Sequence, residues 1–268
     1  MISYPHNFEH VFKVMKYPAG ESHVEANFIP GGEGNVIVAA NVRTWEDLLN
    51  CVTANRILEH NGVTCEWFIP YFPFGRHDRR RSYKDGFELQ LALELVKGLN
   101  VTTLDPHSDV LGQLRHIGQA AAVNQWIKSG LLDVPRPVFI IPDNGATKKA
   151  NTWLKSYDSL QATKYRDPVT GKLSGAFVYN DILVNGKDCI IVDDICDGGG
   201  TFLALADVLK EAGAESLTLA VTHGLFTKGT AELRKYFSRI FVVGNAETGI
   251  AKRIAYDHIF AEAAHERC

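Results

Sequence analysis

The sequence predicts an α/β fold in which mostly parallel sheets are flanked by helices. Short apolar runs rich in β-branched residues alternate with longer stretches of helical periodicity, an order typical of parallel sheets covered by helices. Two of the helical stretches are followed by a glycine that can end a helix. Of the 268 residues, 46% are hydrophobic and 22% are charged, which is the balance of a globular chain with a full apolar core.

Seven apolar runs predict strands, because each is short and rich in the Val, Ile and aromatic residues that sheets favour. They are VIVAA (36–40), TCEWFI (64–69), VTTLD (101–105), PVFIIP (137–142), CIIVDD (189–194), LTLAVT (217–222) and RIFVVG (239–244).

The segments between these runs predict helices near residues 45–60, 87–99, 119–130, 146–156, 201–212 and 229–236. Gly62 follows RILEHN and Gly213 follows LALADVLKEA. Each glycine is placed to end its helix in the left-handed conformation, which other residues rarely adopt.

Proline and glycine punctuation near LLDVPRP (131–137) predicts a joint between two domains. We expect an N-terminal α/β domain over residues 1–134 and a C-terminal one over residues 135–268. The polar stretch between residues 156 and 185 has little apolar periodicity. Within a compact α/β unit such a stretch predicts either a functional loop or an inserted hairpin.

Charge and cysteine usage exclude several classes of function. The chain has 31 acidic and 28 basic residues and a net charge of -3, so it lacks the basic excess of a nucleic-acid binder. Its five cysteines form no C-x-x-C pair, which predicts reduced thiols in the cytoplasm. The first residues lack the pattern of a signal peptide, and no apolar run approaches the roughly 18 residues of a membrane span. We therefore expect a soluble cytoplasmic protein with no nucleic-acid or membrane partner.

The strongest chemical signal is the segment CIIVDDICDGGGTF, residues 189–202. A buried strand ends there in two carboxylates, and a helix begins after the glycines, so backbone amides can approach an anion at the carboxyl edge of the sheet. The paired acids suit sugar hydroxyls or a metal. A plain strand-to-helix turn with an acidic N-cap is the competing interpretation. The candidate phosphate and sugar ligands are Asp193, Asp194, Asp197, Gly198, Gly199, Gly200 and Thr201.

This segment resembles the diphosphoribose-binding motif of type I phosphoribosyltransferases and of ribose-phosphate diphosphokinases. Four further segments resemble the diphosphokinases alone, so the sequence is identified as a short, divergent member of that family. They are YFPFGRHDRR (71–80), LDPHSD (104–109), IPDNG (141–145) and VTHGLF (221–226).

The resemblance implies two tandem phosphoribosyltransferase-like domains and a magnesium-dependent transfer of diphosphate. The β,γ-diphosphate of ATP moves to the anomeric hydroxyl of ribose 5-phosphate, giving phosphoribosyl diphosphate and AMP. It implies that His107 and Asp143 ligate Mg²⁺, and that Lys164 and Arg166 are the catalytic cations of a mobile loop. It further implies that the paired acids hold the ribose hydroxyls and that the loop after them holds the 5-phosphate.

The same resemblance implies an ATP site and a homo-oligomer, a dimer or a hexamer. Arg76, His77 and Asp78 are expected at the nucleotide, with His77 where the family usually has glutamine. Tyr17 and Glu21 lie in KYPAGESHVE, which takes the place of the family's adenine-site segment. The acid usual in the middle of that segment is replaced by Ala19, so the resemblance gives less support for adenine recognition across a subunit boundary.

A second departure concerns the acceptor. The family usually has Thr or Ser where this chain has Gly198, which removes a hydroxyl and leaves space at the 5-phosphate. Either backbone amides carry the binding of ribose 5-phosphate, or the acceptor is larger, as in ADP-ribose, which would give ADP-ribose 1-diphosphate. Two competing hypotheses are a non-catalytic regulatory subunit and a phosphoribosyltransferase that consumes the diphosphate.

Overall fold

The computed structural model describes residues 5–31, 36–80, 82–154, 157–166, 173–178, 181–244 and 251–265. The chain divides into two compact units, Met1–Ile117 and Gly118–Cys268. Each unit has a mostly parallel sheet with helices packed against it. This confirms the predicted fold class.

The first unit has a five-stranded parallel sheet with the order β1-β4-β5-β6-β7 and a separate antiparallel hairpin of β2 and β3. Its elements are β1 (His6–Asn7), α1 (Phe8–Val11), β2 (Phe12–Lys16), β3 (Ser22–Ala26), β4 (Val36–Ala39), α2 (Trp45–His60), β5 (Cys65–Phe68), α3 (Glu88–Leu95), β6 (Asn100–Leu104), a 3₁₀ helix (Asp109–Gln113) and β7 (Arg115–Ile117).

Helix α2 shows how the local sequence determines where a helix of the first unit begins and which of its faces is buried. Thr44 Oγ1 accepts a 3.1 Å hydrogen bond from the Asp47 amide, and Asp47 Oδ2 accepts a 2.9 Å bond from the Thr44 amide. This capping box satisfies backbone donors that the first turn leaves unpaired. The helix then buries Leu48 and Leu58 in the same apolar core as Trp67 of β5. Capping thus fixes where the helix begins, and burial fixes which face meets the sheet.

The second unit has a seven-stranded sheet with the order β10-β9-β8-β11-β12-β13-β14, in which only β10 is antiparallel to its neighbour. Its elements are α4 (Gln119–Lys128), β8 (Pro137–Ile141), α5 (Asn144–Ala150), β9 (Ser159–Arg166), β10 (Leu173–Val178), a 3₁₀ helix (Asp181–Val184), β11 (Asp188–Cys196), α6 (Gly200–Glu211), β12 (Ser216–Gly224), α7 (Ala231–Tyr236), β13 (Arg239–Val243), β14 (Ala251–Ile254) and α8 (Tyr256–His265).

This strand order contains a topological switch point. From β8 the chain moves outward to β9, and it later returns to place β11 on the other side of β8 before continuing to β12. The loops that follow β8 and β11 therefore lead away in opposite directions. In parallel sheets such a divergence opens a crevice at the carboxyl edge, where ligands commonly bind.

The division between the units lies earlier than the boundary expected at residue 134. Helix α4 packs within the second unit, where Gln119 Oε1 accepts a 3.0 Å hydrogen bond from Trp153 Nε1. The Arg239 guanidinium donates to the carbonyls of Gly130 and Leu131 at 2.8 and 2.9 Å. The proline- and glycine-rich segment is therefore a turn held inside the second unit, because its backbone groups are bonded there.

All seven predicted strands are present. Of the six predicted helices, α2 spans residues 45–60 as predicted, and the other five have one or both ends shifted. The helix predicted over residues 146–156, α5, ends at Ala150 and turns follow through Trp153, while residues 155 and 156 lie outside the described part. Gly62 and Gly213 have φ of +72° and +86°, which confirms the two predicted helix ends. In the polar stretch, the described residues form the antiparallel pair β9–β10, as the hairpin interpretation expects. No helix among the described residues is long and apolar enough to cross a membrane.

Four thiols are expected to resist modification in the folded protein. Burial raises the pKa of Cys51, Cys65, Cys189 and Cys196 to about 12, above the ordinary thiol value of 9.0. At pH 8 these thiols therefore remain protonated and shielded, so iodoacetamide should modify them only after unfolding. Peptide mapping by mass spectrometry checks this, with the guanidinium-unfolded chain as the control. Modification of the native protein at these positions would contradict the burial.

The same raised pKa values give stability a pH dependence. Ionised thiolate is disfavoured in the folded state, so the unfolded chain loses these protons first as the pH rises. The stabilising contribution of these buried, protonated thiols to the free energy of unfolding is complete below pH 9 and is lost between about pH 9 and 12.

Candidate active site

The glycine-rich loop follows β11 at the switch point of the second unit. Gly199 has φ of +79° and is the residue before α6, so the chain turns sharply into the helix. The carbonyl of Gly199 accepts the amides of Phe202 and Leu203, each at 3.0 Å. A helix of twelve residues begins at Gly200, and its first amides and its dipole favour an anion at this end.

Gly199 is expected to tolerate no side chain. A Cβ built on it would lie 3.3 Å from Leu233 Cδ2, and its φ lies in the left-handed region. Gly199→Ala should therefore lower the free energy of unfolding by about 1–2 kcal/mol, as measured by chemical denaturation. Gly200→Ala is the matched control, since a Cβ there meets nothing within 4 Å; equal losses in the two variants would contradict this account.

A second segment lies along the glycine loop. The amides of Leu225 and Phe226 donate to the carbonyl of Cys196 at 2.8 and 3.1 Å. Thr227 donates twice to Asp197: its amide to the carbonyl at 3.1 Å, and its hydroxyl to Oδ1 at 2.7 Å. Residues 225–228 are therefore fixed against residues 196–198; we call residues 225–228 the strap. Sequence reasoning missed the strap, although it begins within the quoted segment VTHGLF.

Gly224 explains how the strap leaves β12. A Cβ at this position would collide with the ring of Phe226 and with Val242. Phe226 itself has φ of +44° and is buried. Glycine is therefore required where the ring folds back onto the end of the strand.

The two paired acids, both expected at the ribose hydroxyls, have different environments. Successive side chains of a strand point to opposite faces, so Asp193 and Asp194 leave β11 on opposite sides. Lys149 Nζ of α5 lies 2.7 Å from Asp194 Oδ2, and the exposed fractions of the two side chains are 21% and 9%. Asp193 is half-buried, and its Oδ1 accepts the Asp194 amide at 2.9 Å. Lys149 was not singled out from the sequence, because its role depends on the packing of α5 beside β11.

Asp143, expected at the metal, follows β8 and is the N-cap of α5. Its Oδ1 accepts the Ala146 amide at 2.9 Å, and the side chain is half-buried. Because β8 and β11 are parallel neighbours, Asp143 lies at the same edge of the sheet as the glycine loop. The structure therefore brings together Asp143, the paired acids and the loop within the second unit.

In the first unit, the segment after β5 carries three residues expected at ATP. Arg76 and His77 are exposed, and Asp78 is half-buried. The segment turns at Phe74, whose φ is +62° and whose carbonyl accepts the His77 amide at 2.7 Å. His77 Nδ1 also lies 3.1 Å from Glu88 Oε2.

His107 lies against that segment. The parallel strands β5 and β6 are neighbours, so the loops after them leave the sheet at the same edge. A Cβ built on Gly75 would lie 3.6 Å from His107 Cβ and 3.2 Å from Leu111 Cδ1. The His107 side chain is exposed. Within the first unit, His107 is therefore close to Arg76–Asp78.

Tyr17 and Glu21 lie in the turn of the β2–β3 hairpin, where the Tyr17 amide donates to the Glu21 carbonyl at 2.9 Å. Both side chains are exposed. The hairpin is attached to α2, because Lys16 Nζ and Ser22 Oγ bind the two carboxylate oxygens of Glu46 at 2.8 and 2.5 Å. These hydrogen bonds also lower the pKa of the Glu46 carboxyl.

The residue beside Glu46 contacts the other ATP segment. Trp45 stacks on Phe74 with ring centroids 4.1 Å apart and an interplanar angle of 24°. The start of α2 therefore touches both the hairpin and the segment that carries Arg76. Sequence reasoning missed this link, since Trp45 belongs to no recognised motif.

Comparisons with known proteins agree with this geometry. The phosphoribosyl transferase domain model matches residues 150–253, which contain the glycine loop. The crystal structure of phosphoribosylpyrophosphate synthetase from Mycobacterium smegmatis has a similar fold, with a TM-score of 0.74 and 20% identity over 96% of this chain and 89% of that one.

The curated proteins described next are both named ribose-phosphate pyrophosphokinase. The ribose-phosphate pyrophosphokinase of Corynebacterium efficiens is 28% identical over 174 residues, 61% of this chain and 53% of that protein. The ribose-phosphate pyrophosphokinase of Pyrococcus abyssi is 26% identical over 260 residues, 92% of this chain and 88% of that protein. The chain is therefore similar to ribose-phosphate pyrophosphokinases. It spans about half the length of the first curated relatives that it matches, 53% and 57% in two of them.

The two cations expected on the mobile loop of a ribose-phosphate pyrophosphokinase lie on a strand. Lys164 and Arg166 belong to β9, where the backbone of Lys164 is paired with Ala176 of β10. Ile141, the last residue of β8, is level with Gln161. At about 3.3 Å per residue, the backbone of Lys164 is therefore about 10 Å beyond the carboxyl end of β8. Their side chains and residues 167–172 lie outside the described part.

The two residues expected to hold magnesium, Asp143 and His107, differ in how well they fit its usual donor set. Among the described residues, no group of three or more His, Cys, Asp or Glu side chains could hold a metal ion. Magnesium in nucleotide-dependent enzymes is usually bound through one or two carboxylates, waters and substrate phosphates. The Asp143 carboxylate fits that pattern. The His107 imidazole is a less common magnesium ligand.

Proposed function

We propose that the chain is a magnesium-dependent diphosphotransferase that converts ribose 5-phosphate and ATP into phosphoribosyl diphosphate and AMP. The anomeric oxygen attacks the β-phosphorus of ATP, the bond from that phosphorus to the α,β-bridging oxygen breaks, and AMP leaves. The proton of the anomeric hydroxyl is released. The observation that carries the proposal is the glycine loop at the switch point of a unit that matches the phosphoribosyl transferase domain.

The second unit supplies the acceptor site in this proposal. Backbone amides at Gly198–Thr201 and the N-terminus of α6 bind the 5-phosphate, as glycine loops before helices do. Asp193 and Asp194 accept hydrogen bonds from the ribose hydroxyls. Lys149 holds the Asp194 carboxylate from the face of α5, so this carboxylate is oriented before the acceptor binds.

Lys164 and Arg166 stabilise the transition state in this proposal. Phosphoryl transfer involves charge that spreads over the nonbridging oxygens of the transferred group, and catalysis consists mostly of positioning and charge neutralisation. The support is the match of this Lys-x-Arg pair to the family's catalytic cations and the position of its backbone beyond the carboxyl end of β8.

The first unit supplies the nucleotide site. Arg76 neutralises the triphosphate, while His77 and Asp78 contact the nucleotide next to it. Tyr17 and Glu21 of the hairpin turn provide the adenine contacts that the family pattern implies. Magnesium, when bound, would neutralise negative charge on the phosphates of ATP. The resemblance names His107 and Asp143 as magnesium ligands, and the Asp143 carboxylate is the donor that fits magnesium better.

ADP-ribose is the second candidate acceptor. Its anomeric hydroxyl is free and its 5-phosphate is esterified, so it presents the same two groups to the loop and to the transferred diphosphate. The observation that favours it is Gly198, which has no side chain at the loop where the family usually has Thr or Ser. A regulatory subunit is disfavoured because both cations and both metal ligands are present. A phosphoribosyltransferase is disfavoured because the ATP segments would have no role.

The family pattern also supports a homo-oligomer, a dimer or a hexamer, formed in the cytoplasm. Multi-angle light scattering of the full chain gives the mass of the assembly directly. A monomer at micromolar concentration would contradict this part of the proposal and leave the chemistry to be tested separately.

Mass spectrometry of the reaction products tests the function. The full chain is incubated with ATP and Mg²⁺ and with either ribose 5-phosphate or ADP-ribose. We expect AMP together with the 1-diphosphate of one acceptor, and we expect EDTA to abolish both products. The acceptor that yields product with the higher kcat/KM is the substrate. Absence of AMP with both acceptors would overturn the diphosphotransferase proposal.

A further inference from the structure

We propose that Lys228 binds the 5-phosphate of the acceptor and thereby replaces the hydroxyl that Gly198 lacks. This inference rests on the proposed function, since it assigns one more ligand to the same site. Lys228 acts on binding, by neutralising a phosphate that takes no part in the transferred bonds. It is thus a specificity-determining residue and not one of the two cations at the reacting phosphorus.

The first observation is the contact between Lys228 and the glycine loop. A Cβ built on Gly198 would lie 3.4 Å from both Cδ and Cε of Lys228, and 3.6 Å from its Cγ. The lysine stem therefore lines the space that a side chain at position 198 would enter. Because Cε carries the ammonium group, the positive charge lies next to the loop.

The second observation is that the strap holds this lysine in place. Leu225 and Phe226 are hydrogen-bonded to the carbonyl of Cys196, and Thr227 is hydrogen-bonded to Asp197 through both its amide and its hydroxyl. The backbone directly before Lys228 is therefore held against the glycine loop. Because the lysine starts from a fixed backbone, it loses less conformational entropy when an anion binds than it would on a free loop.

The third observation concerns charge. The segment from Asp193 to Thr201 contains three carboxylates and no cationic side chain, so a phosphate dianion bound there would meet mostly negative groups. Lys149 is engaged by Asp194 at 2.7 Å. Within the described part of the chain, the Lys228 ammonium makes no hydrogen bond or ion pair. Lys228 is exposed, so an incoming phosphate can reach it without displacing a protein partner.

The lysine ammonium and the hydroxyl that it replaces differ in how strongly they bind phosphate. A hydrogen bond from an ammonium to phosphate is about twice as strong as one from a neutral donor. Its loss should therefore weaken acceptor binding by about 10- to 100-fold. Since Lys228 contacts a phosphate that is equally charged in the ground state and the transition state, its loss should raise KM and leave kcat nearly unchanged.

Steady-state kinetics of Lys228→Met provides the test. We expect the KM for the acceptor to rise about 10- to 100-fold, with the KM for ATP and kcat changed less than about 2-fold. Lys228→Arg should restore most of the affinity, and Gly198→Thr in the Lys228→Met background should restore part of it. Lys235→Met is the matched control, because Lys235 pairs with the exposed Glu232 on α7. An unchanged acceptor KM in Lys228→Met, or an equal rise in both variants, would overturn the inference.

A binding measurement separates this inference from the proposed function. Isothermal titration of the full chain with inorganic phosphate needs no turnover. We expect Lys228→Met, but not Lys235→Met, to weaken phosphate binding by about 10-fold or more. If the wild type forms no AMP but this difference in phosphate affinity is found, the proposed reaction is wrong and the assignment of Lys228 as a phosphate ligand remains supported. Equal phosphate affinity in all three proteins would overturn the role of Lys228.

Discussion

Replacing Lys164 with alanine is expected to lower kcat by about 10³-fold while the protein remains folded. Removal of one charged group that stabilises a phosphoryl-transfer transition state costs a factor of about this size or more. The KM for ATP and for the acceptor should change much less, because the interaction is strongest in the transition state. Stopped assays of AMP formation measure kcat, and thermal unfolding monitors the fold.

The fold should be preserved because Lys164 is paired with Ala176 through the backbone of β9 and β10, and alanine keeps those backbone groups. The intrinsic preference of a strand for one residue over another spans only about 1 kcal/mol. Lys97→Ala, at an exposed position after α3, is the control for the loss of one surface lysine. Full activity of Lys164→Ala would remove this residue from the mechanism.

The elements that could be predicted from the sequence share one physical property: their pattern is decided locally. Strands such as CIIVDD are continuous apolar runs because both faces are buried, and the end of α2 is marked by the adjacent Gly62. The glycine loop could be located for the same reason, since its glycines, acids and helix start are adjacent in the chain. The ends of elements were less accurate, as α5 shows, because the turn after Ala150 has no such local signal.

The contacts that could not be predicted depend on neighbours that are distant in the sequence. Lys149 meets Asp194 only because β8 and β11 lie side by side at the switch point. Lys228 meets Gly198 only because the strap turns back along the loop. The segment LLDVPRP indicated a domain joint, yet the carbonyl of its Leu131 and that of the preceding Gly130 are bonded to Arg239 of the second unit. Proline and glycine mark a turn, and only tertiary hydrogen bonds decide which unit the turn belongs to.

Breaking the ion pair between Lys149 and Asp194 is expected to lower both the stability and the activity of the protein. Asp194→Asn keeps the shape of the side chain but leaves the Lys149 ammonium without its carboxylate. Breaking a fully buried pair typically costs about 3–5 kcal/mol. Since Lys149 is 21% exposed, partial solvation reduces this, and we expect a loss of about 2 kcal/mol in the free energy of unfolding. Activity should fall by more than about 100-fold, because an amide is a weaker acceptor for the ribose hydroxyl.

A double variant separates the two effects. Lys149→Met in the Asp194→Asn background removes the ammonium that has lost the Asp194 carboxylate, so most of the lost stability should return, while activity should stay low. Urea denaturation and AMP formation are measured on the same samples. Glu232→Gln is the control, since it breaks a pair whose side chains are 65% and 64% exposed and should cost less than about 0.5 kcal/mol.

Recovery of activity together with stability in the double variant would show that Asp194 serves only to balance Lys149. Asp193 would then be the sole carboxylate at the sugar, which agrees with the opposite faces of β11 on which the two side chains lie. Persistent inactivity in a stable double variant would instead require both carboxylates at the ribose. The activity of the double variant distinguishes the two cases. Once the Lys149 ammonium is removed, the carboxylate of Asp194 matters only for the contact with the ribose.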